Sequence, residues 1–365
     1  MFRRVKVLNA IIGKRVIGRL AMAPDNICVF EYDKKFLESG FSISPFHLPL
    51  KAGVFTAKRE PFEGLFGVFN DSLPDGWGRL LIDRLLLKHK INPQSLSPLD
   101  RLAIVGKNGM GAVEYHPADI FFISKDSIDI AYLAKEVKNV LNENYSGRLE
   151  LLAKKEGSSG GARPKVLLNI GGEEWLIKFP GSSDPDDIGK IEYEYSLAAK
   201  ECAITMPETK LFEGRYFGVK RFDRAGAKKI HMHTAAGLVY ADYRLPSLDY
   251  SELFKATLAL TNDMGEVMKL YRQMVFNVVT SNRDDHAKNF SFVYKSGQWR
   301  VSPAYDIVRS YGFNGQHTTT INGNGLPDKN DILSVANEVG INKNQATKIF
   351  DEIKEKAKAL QRFWK

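Results

Sequence analysis

The densest group of chemically capable side chains lies at residues 282–289, which read Asn-Arg-Asp-Asp-His-Ala-Lys-Asn. A carboxylate such as that of Asp284 can accept a proton from a reacting hydroxyl, and amide and carboxylate oxygens are the hard ligands that Mg²⁺ prefers. Asn and Asp also favour turns, so a purely structural polar turn is the alternative interpretation. The alternation of charged and amide side chains favours a chemical role.

The spacing inside this group matches that of the catalytic loop of protein kinases. Asp284 and Asn289 are five positions apart, as are the proton-accepting Asp and the magnesium-binding Asn of that loop. Asp306 follows one short predicted hairpin later, where a kinase carries its second metal-binding residue, although Ile307 and Val308 replace the usual Phe-Gly. Asn289 and Asp306 could therefore supply the protein's ligands of an Mg²⁺ site.

Two upstream features could bind phosphate. Residues 157–165 read Gly-Ser-Ser-Gly-Gly-Ala-Arg-Pro-Lys, and backbone N–H groups in such a run can approach an anion, although a flexible linker has the same composition. Lys178 lies in an apolar predicted strand at 175–179. An inward-facing lysine there requires an anionic partner, whereas an edge-strand lysine facing water is the alternative.

The elements that must position these residues are mixed. Val and Ile alternation predicts strands in the first ~35 residues. A capped loop is expected at 70–78 and a leucine-rich helix at 79–88. Gly171-Gly172 is expected to close a hairpin. Apolar residues at a spacing of three and four predict that helices dominate from about residue 250, including one that carries Val267, Leu270 and Met274.

Length and composition set the outer limits. The chain has 365 residues, of which 44% are hydrophobic and 26% charged, so we expect two or three folded domains and no extensive disorder. The cysteines, Cys28 and Cys202, are too few for a disulfide framework or a Cys-rich zinc site. The net charge of +9 favours an anionic partner.

No export or membrane segment is expected. Lys6 and Lys14 interrupt the apolar run at the N-terminus, so a signal-peptide core does not form. No later stretch reaches the ~18 uninterrupted apolar residues that a membrane helix requires. The expected location is therefore the cytoplasm.

Six motifs, in this order, resemble those of the HipA family of serine/threonine kinases, which are the toxins of type II toxin–antitoxin systems. They lie at 69–78, 158–165, 178, 219–224, 282–289 and 303–306. The resemblance covers nearly the whole chain and implies an α+β, protein-kinase-like fold of two lobes. It implies an N-terminal α+β subdomain at 1–105, an N-lobe-like region at 106–245 and a mostly helical C-terminal lobe at 246–365.

The resemblance also implies roles for single residues. Asp284 corresponds to the catalytic Asp, Asn289 and Asp306 to the residues that bind Mg²⁺, and Ser158 to the serine that is autophosphorylated. The positions implied to bind ATP are Ser159, Gly160, Gly161, Ala162, Lys178, Lys220, Arg221, Phe222, His286 and Lys288.

The implied partners are a HipB-like helix-turn-helix antitoxin, operator DNA bound through that complex, and a protein substrate such as an aminoacyl-tRNA synthetase. A basic surface would help such a complex to bind DNA. Two other functions stay open. One is a catalytically weak module that acts with its antitoxin as a DNA-bound repressor, and the other is a kinase that acts on a small molecule.

Overall fold

The structure, a computed structural model, describes residues 4–118, 129–143, 149–156 and 161–364. Its strands are β1 Val7–Ile12, β2 Arg15–Met22, β3 Cys28–Tyr32, β4 Val54–Thr56, β5 Val113–His116, β6 Lys165–Ile170, β7 Glu173–Lys178, β8 Thr209–Phe212, β9 Tyr216–Lys220, β10 Arg224–Ala225, β11 Lys228–Lys229, β12 His231–Thr234, β13 Leu248–Asp249, β14 Ser291–Lys295, β15 Gln298–Val301 and β16 Thr319–Thr320. Its α-helices are α1 Lys34–Ser39, α2 Gly67–Asn70, α3 Gly76–Lys88, α4 Pro98–Val105, α5 Ile130–Leu141, α6 Leu149–Glu156, α7 Ile188–Glu201, α8 Ala235–Val239, α9 Tyr250–Thr261, α10 Met264–Val279, α11 Lys329–Glu338 and α12 Lys343–Lys356.

The chain forms two compact units. The first comprises residues 1–189 and 215–231, and the second comprises 190–214 and 232–365. An antiparallel sheet in the order β4-β3-β2-β1-β5 opens the first unit. The buried ring of Phe30 in this sheet lies 4.9 Å from that of Tyr32 and 5.3 Å from that of Phe69, measured between ring centroids. Phe69 belongs to α2, so these aromatic contacts pack the helix onto the sheet.

A second sheet in the first unit contains the predicted glycine-turned hairpin. Strands β6 and β7 pair antiparallel, and β9 pairs with the other edge of β7. Gly171 and Gly172 join β6 to β7 with φ of 62° and 85°, a conformation that residues with a Cβ rarely adopt. The predicted hairpin is confirmed. Trp175 and Ile177 of β7 are fully buried, so this sheet contributes to the core.

The predicted loop at 70–78 is shorter than expected. Helix α2 ends at Asn70 and α3 begins at Gly76, three residues before the predicted helix start. Asp75 adopts the extended backbone conformation of a helix N-cap, with φ of −117° and ψ of −175°. The Asp-Gly sequence therefore begins the helix rather than belonging to the loop, as is usual for Asp at that position.

A buried ion cluster joins the early and late segments of the first unit. Arg221 makes a bidentate contact with Asp223, with atom pairs at 2.7 and 2.9 Å, and Arg224 Nη1 lies 2.8 Å from the same carboxylate. Gly111 donates its backbone N–H to Asp223 at 2.7 Å. Burial alone would raise the pKa of the Asp223 carboxyl, but Arg221, Arg224 and the Gly111 N–H outweigh it and hold the pKa below its usual range.

The second unit surrounds α10 with other helices. Helix α10 packs against α9 and α12, and its predicted apolar stripe is confirmed because Val267, Leu270 and Met274 are buried. A sheet in the order β12-β14-β15 and a parallel pairing of β13 with β16 complete the unit. Among the residues that the structure describes, no helix is long and apolar enough to cross a membrane.

We predict that Asp223→Asn lowers the free energy of unfolding by about 3 kcal/mol, because two buried guanidinium groups lose their buried carboxylate and keep only the partly exposed Glu174. The exposed Asp186 supplies the control, and Asp186→Asn should change the free energy by less than about 0.5 kcal/mol. Thermal unfolding at several pH values measures both. Because the pKa of Asp223 is lowered, the difference in the free energy of unfolding between wild type and Asp223→Asn should be largest at neutral pH. It should decrease below about pH 4. A difference that does not change with pH would contradict this assignment.

Candidate active site

The loop between α10 and β14 carries two adjacent aspartates, of which one is exposed and the other is buried. The side chain of Asp284 is 59% exposed, whereas that of Asp285 is 0% exposed. Of the two residues, only Asp284 is accessible to a molecule from outside. The predicted catalytic position is therefore the one that the fold leaves open.

The buried Asp285 carboxylate is bonded on both oxygens. Its Oδ2 accepts a hydrogen bond from the Tyr250 hydroxyl at 2.9 Å and lies 2.9 Å from His317 Nδ1. Its Oδ1 accepts from the backbone N–H groups of Thr318 at 2.9 Å and Thr319 at 3.3 Å. Burial, together with the Asp285 charge, holds the pKa of Tyr250 well above its usual range, so this hydroxyl stays a donor. The contacts of this carboxylate therefore fix the position of the 282–289 loop.

Asn289 is tied to Asp284 across the same loop. Its Nδ2 donates to the backbone oxygen of Asp284 at 2.7 Å, and its own N–H donates to the carbonyl of His286 at 2.8 Å. Residues Ala287–Asn289 form one turn of 3₁₀ helix that makes this return possible. Because the amide nitrogen is engaged inside the loop, the amide oxygen is the atom that can serve a metal.

His286 and Lys288 line the same loop. His286 Nε2 lies 4.0 Å from Asp284 Oδ1, and the Nδ1 atom of His286 is buried with no hydrogen-bond partner among the described residues. Buried polar atoms are nearly always satisfied, so a bound molecule or water is the natural partner here. The buried Lys288 places its Nζ 4.1 Å from the centroid of the Tyr243 ring, a cation–π distance.

Asp306 stands in a strained backbone conformation. Its φ is 54°, in the left-handed region that few residues with a side chain adopt. The preceding Tyr305 donates its hydroxyl to the Lys288 carbonyl at 2.6 Å and also contacts the Ser291 hydroxyl. These contacts hold the Asp306 segment against the 282–289 loop. Such strain is concentrated at functional sites, where surrounding contacts enforce it.

In the first unit, two buried lysines face one another across β6 and β7. Lys178 is 8% exposed and Lys165 is 3% exposed, and the two are directly opposite in the strand register. Directly opposed residues project from the same face of a sheet. Lys178 therefore does not face water, and its Nζ lies 5.7 Å from the centroid of the Phe217 ring. The concentrated positive charge suits a polyphosphate.

The remaining predicted positions have different surroundings. Lys220 pairs with Glu173, and Arg221 contacts Asp223 and Glu174. These side chains are thus engaged in ion pairs, so a contact of Lys220 or Arg221 with ATP would have to come from the backbone. Gly161 and Ala162 are described, with φ of 97° at Gly161. The predicted positions that lie outside the described residues are Ser158, Ser159 and Gly160.

Sequence reasoning missed the residues that support the site. Asp285 was part of the quoted motif, yet its partners Tyr250 and His317 lie 35 and 32 positions away and carry no local signal. Lys165 had a usable signal, because strand alternation on either side of the Gly-Gly turn places it opposite Lys178.

We predict that Asp285→Asn lowers the free energy of unfolding by about 3 kcal/mol. The substitution removes the buried charge, and an amide cannot accept all four contacts that the Asp285 carboxylate makes. The adjacent Asp284→Asn is a matched control, since the Asp284 side chain is exposed, and should change the free energy by less than about 0.5 kcal/mol. Urea unfolding followed by fluorescence compares the two. Equal losses for both variants would show that burial does not distinguish these aspartates.

Two family models match most of the chain. Residues 8–116 match the model of the HipA N-terminal domain, and residues 157–360 match the model of the HipA-like C-terminal domain. The second match alone covers more than half of the chain. The protein belongs to the HipA family.

Several curated relatives carry kinase names. The chain is 22% identical over 345 residues to a protein of Sinorhizobium fredii named "Putative kinase Y4dM", which covers 87% of this chain and 81% of that protein. It is 24% identical over 335 residues to the serine/threonine-protein kinase toxin HipA of Shewanella oneidensis, covering 81% of this chain and 73% of that protein.

A solved structure shares the fold. It is the HipA toxin–antitoxin system of Shewanella oneidensis in complex with HipB and its operator DNA. The TM-score is 0.73 at 19% identity, and the match covers 97% of this chain and 90% of that chain. The predicted α+β, kinase-like fold is confirmed.

Proposed function

We propose that this protein is an ATP-dependent serine/threonine-protein kinase. The observation that carries the proposal is the loop at 282–289, in which an exposed Asp284 is bonded through its backbone oxygen to the side chain of Asn289. Phosphoryl transfer by a kinase needs a carboxylate that can reach an incoming hydroxyl and an amide oxygen that can bind a metal. One short turn supplies both.

The proton-transfer step belongs to Asp284. Its carboxylate orients a substrate serine or threonine hydroxyl and accepts the proton as the hydroxyl oxygen forms a bond to the γ-phosphorus of ATP. The bond between that phosphorus and the bridging oxygen breaks, and ADP leaves with the bond's electron pair. His286, 4.0 Å from the Asp284 carboxylate, and Lys288 support the loop.

The donor set fits magnesium. The Asn289 amide oxygen and the Asp306 carboxylate are hard oxygen ligands, and the strained φ of 54° at Asp306 is a conformation that tertiary contacts must enforce. When bound, Mg²⁺ neutralises charge on the nucleotide phosphates. Asn289 and Asp306 would hold it.

The other residues implied to bind ATP would contact different parts of the nucleotide. Lys178, with Lys165 opposite, supplies buried positive charge for the phosphates. The small residues Ser159, Gly160 and Ala162 would offer backbone N–H groups. The N–H of Gly161 is donated to Asp75, so Gly161 would contribute only a close approach of its backbone. Lys220, Arg221 and Phe222 would meet adenine through the backbone.

We further propose a biological role from the family. The protein would be the toxin of a type II system, with a HipB-like helix-turn-helix antitoxin as partner and operator DNA bound through that complex. The net charge of +9 suits an assembly on DNA. It would act in the cytoplasm on a protein of translation such as an aminoacyl-tRNA synthetase. Ser158 would be the site of inactivating autophosphorylation, because a phosphate there would add negative charge beside the nucleotide phosphates.

The proposal is tested at Asp284. Asp284→Asn should reduce transfer of labelled phosphate from γ-labelled ATP by about 10²-fold or more, because the hydroxyl loses its proton acceptor. Its Kd for ATP should match that of wild type, and peptide mapping should find phosphate on Ser158 only in wild type. The exposed Asp186→Asn is the control. Equal labelling of Asp284→Asn and wild type would reject the mechanism, and absence of ATP turnover in wild type would favour the repressor role.

A second experiment tests the metal ligands. Asp306→Ala should weaken binding of Mg-ATP by about tenfold or more while leaving adenosine binding unchanged, because adenosine carries no phosphate for a metal to bridge. Isothermal calorimetry with each ligand provides the comparison. Equal losses for the two ligands would show that Asp306 acts through the backbone conformation alone.

A further inference from the structure

The motif at 69–78 has no role in the proposed chemistry, yet its last residues contact the glycine-rich run. Asp75 occupies the N-cap position of α3, but its carboxylate makes no hydrogen bond to the N–H groups of its own helix. It accepts the backbone N–H of Gly161 instead. The Trp77 N–H, in the first turn of α3, donates to the Gly161 carbonyl at 3.2 Å. Both backbone groups of Gly161 are therefore bonded to the start of α3.

Gly76 makes this approach possible. Its φ is 37°, and a Cβ there would lie 2.5 Å from the Gly161 oxygen and 2.7 Å from the Ala162 Cα. Cβ atoms are not found at such distances, and the obstacles are backbone atoms that cannot rotate away. The contact between α3 and residues 161–162 thus requires glycine at position 76.

The downstream side of the run is also anchored. Arg163 Nε lies 3.1 and 3.2 Å from the two carboxylate oxygens of Asp184. The Pro164 carbonyl accepts the N–H of Phe179 at 2.8 Å, and Lys165 then enters β6 opposite Lys178. The backbone from Gly161 to Lys165 is consequently held between α3 and the sheet that carries the two buried lysines.

We propose that Asp75, Gly76 and Trp77 form a clasp that positions residues 161–165 of the glycine-rich run for the phosphates of ATP. This inference rests on the proposed kinase function. Fixing a backbone on binding costs conformational entropy, so residues 161–165 bind the nucleotide more tightly when they are held in place before it arrives. The clasp residues are positioning residues, since they act through Gly161 and not on the nucleotide itself.

The test compares two glycines with similar backbone requirements. Gly76→Ala breaks the clasp, whereas Gly13→Ala is the matched control because Gly13 also has a positive φ, 62°, but nothing lies within 4 Å of its Cβ direction. Calorimetry should show the Kd for Mg-ATP rising about tenfold in Gly76→Ala and less than twofold in Gly13→Ala. Adenosine should bind both variants as it binds wild type, because it has no phosphates for the run to contact.

Two substitutions of Asp75 that differ in severity keep the test valid if Gly76→Ala fails to fold. Asp75→Ala removes the acceptor of the Gly161 N–H, whereas Asp75→Asn keeps a neutral one. The Kd for Mg-ATP should rise most in Asp75→Ala and less in Asp75→Asn. Equal losses for ATP and adenosine, or equal effects of Asp75→Ala and Asp75→Asn, would overturn the clasp as a positioning device.

Amide exchange separates failure of the clasp from failure of the proposed function. The Gly161 amide should exchange slowly in wild type and at least about tenfold faster in Asp75→Ala, with no nucleotide present. Fast exchange in wild type would overturn the clasp whatever the protein binds. A protected Gly161 amide in a wild-type protein that does not bind ATP would instead reject the kinase function.

Discussion

The candidate site depends on one buried charge, the carboxylate of Asp285. An ionised group taken out of water is tolerated only when its lone pairs are satisfied. Four contacts meet this requirement, from Tyr250 at the start of α9 and from residues 317–319. Asn277 of α10 extends the network by donating to the Tyr250 hydroxyl at 3.0 Å. Three separate parts of the second unit are thereby brought to one loop, and Asp284, one residue away, is held at the surface.

The first unit also contains a fully buried carboxylate, that of Asp223. Its partners are guanidinium groups and one backbone N–H. Asp285 is met by a hydroxyl, an imidazole and backbone N–H groups, whereas Asp223 and the nearby Glu174 are paired with the guanidinium groups of Arg221 and Arg224. The Asp223 cluster therefore joins two segments of the first unit, while the Asp285 network orients a loop whose exposed groups can do chemistry. Buried ion pairs are weak sources of net stability, but breaking one is costly.

The sequence alone predicts the features that depend on near neighbours. The Gly171-Gly172 turn, the apolar stripe of α10 and the spacing from Asp284 to Asn289 are all local patterns, and the first two are confirmed. Which of two adjacent aspartates is buried was beyond such reasoning, because Tyr250 and His317 decide it from more than thirty positions away. The start of α3 was placed too late because the Asp75 backbone conformation, and not the leucine pattern, sets where the helix begins.

The Asp223 cluster makes the two regions matched by the family models depend on each other. Gly109 and Gly111 lie within the region that matches the HipA N-terminal domain, whereas Arg221, Asp223 and Arg224 lie within the region that matches the C-terminal domain. His231 also reaches the Ile43 carbonyl, at 2.9 Å, across the same division. Separating the two regions would expose the buried side chains of Arg221, Asp223 and Arg224 and remove their backbone partners at Gly109 and Gly111. Each region therefore depends on the other to satisfy its buried polar groups.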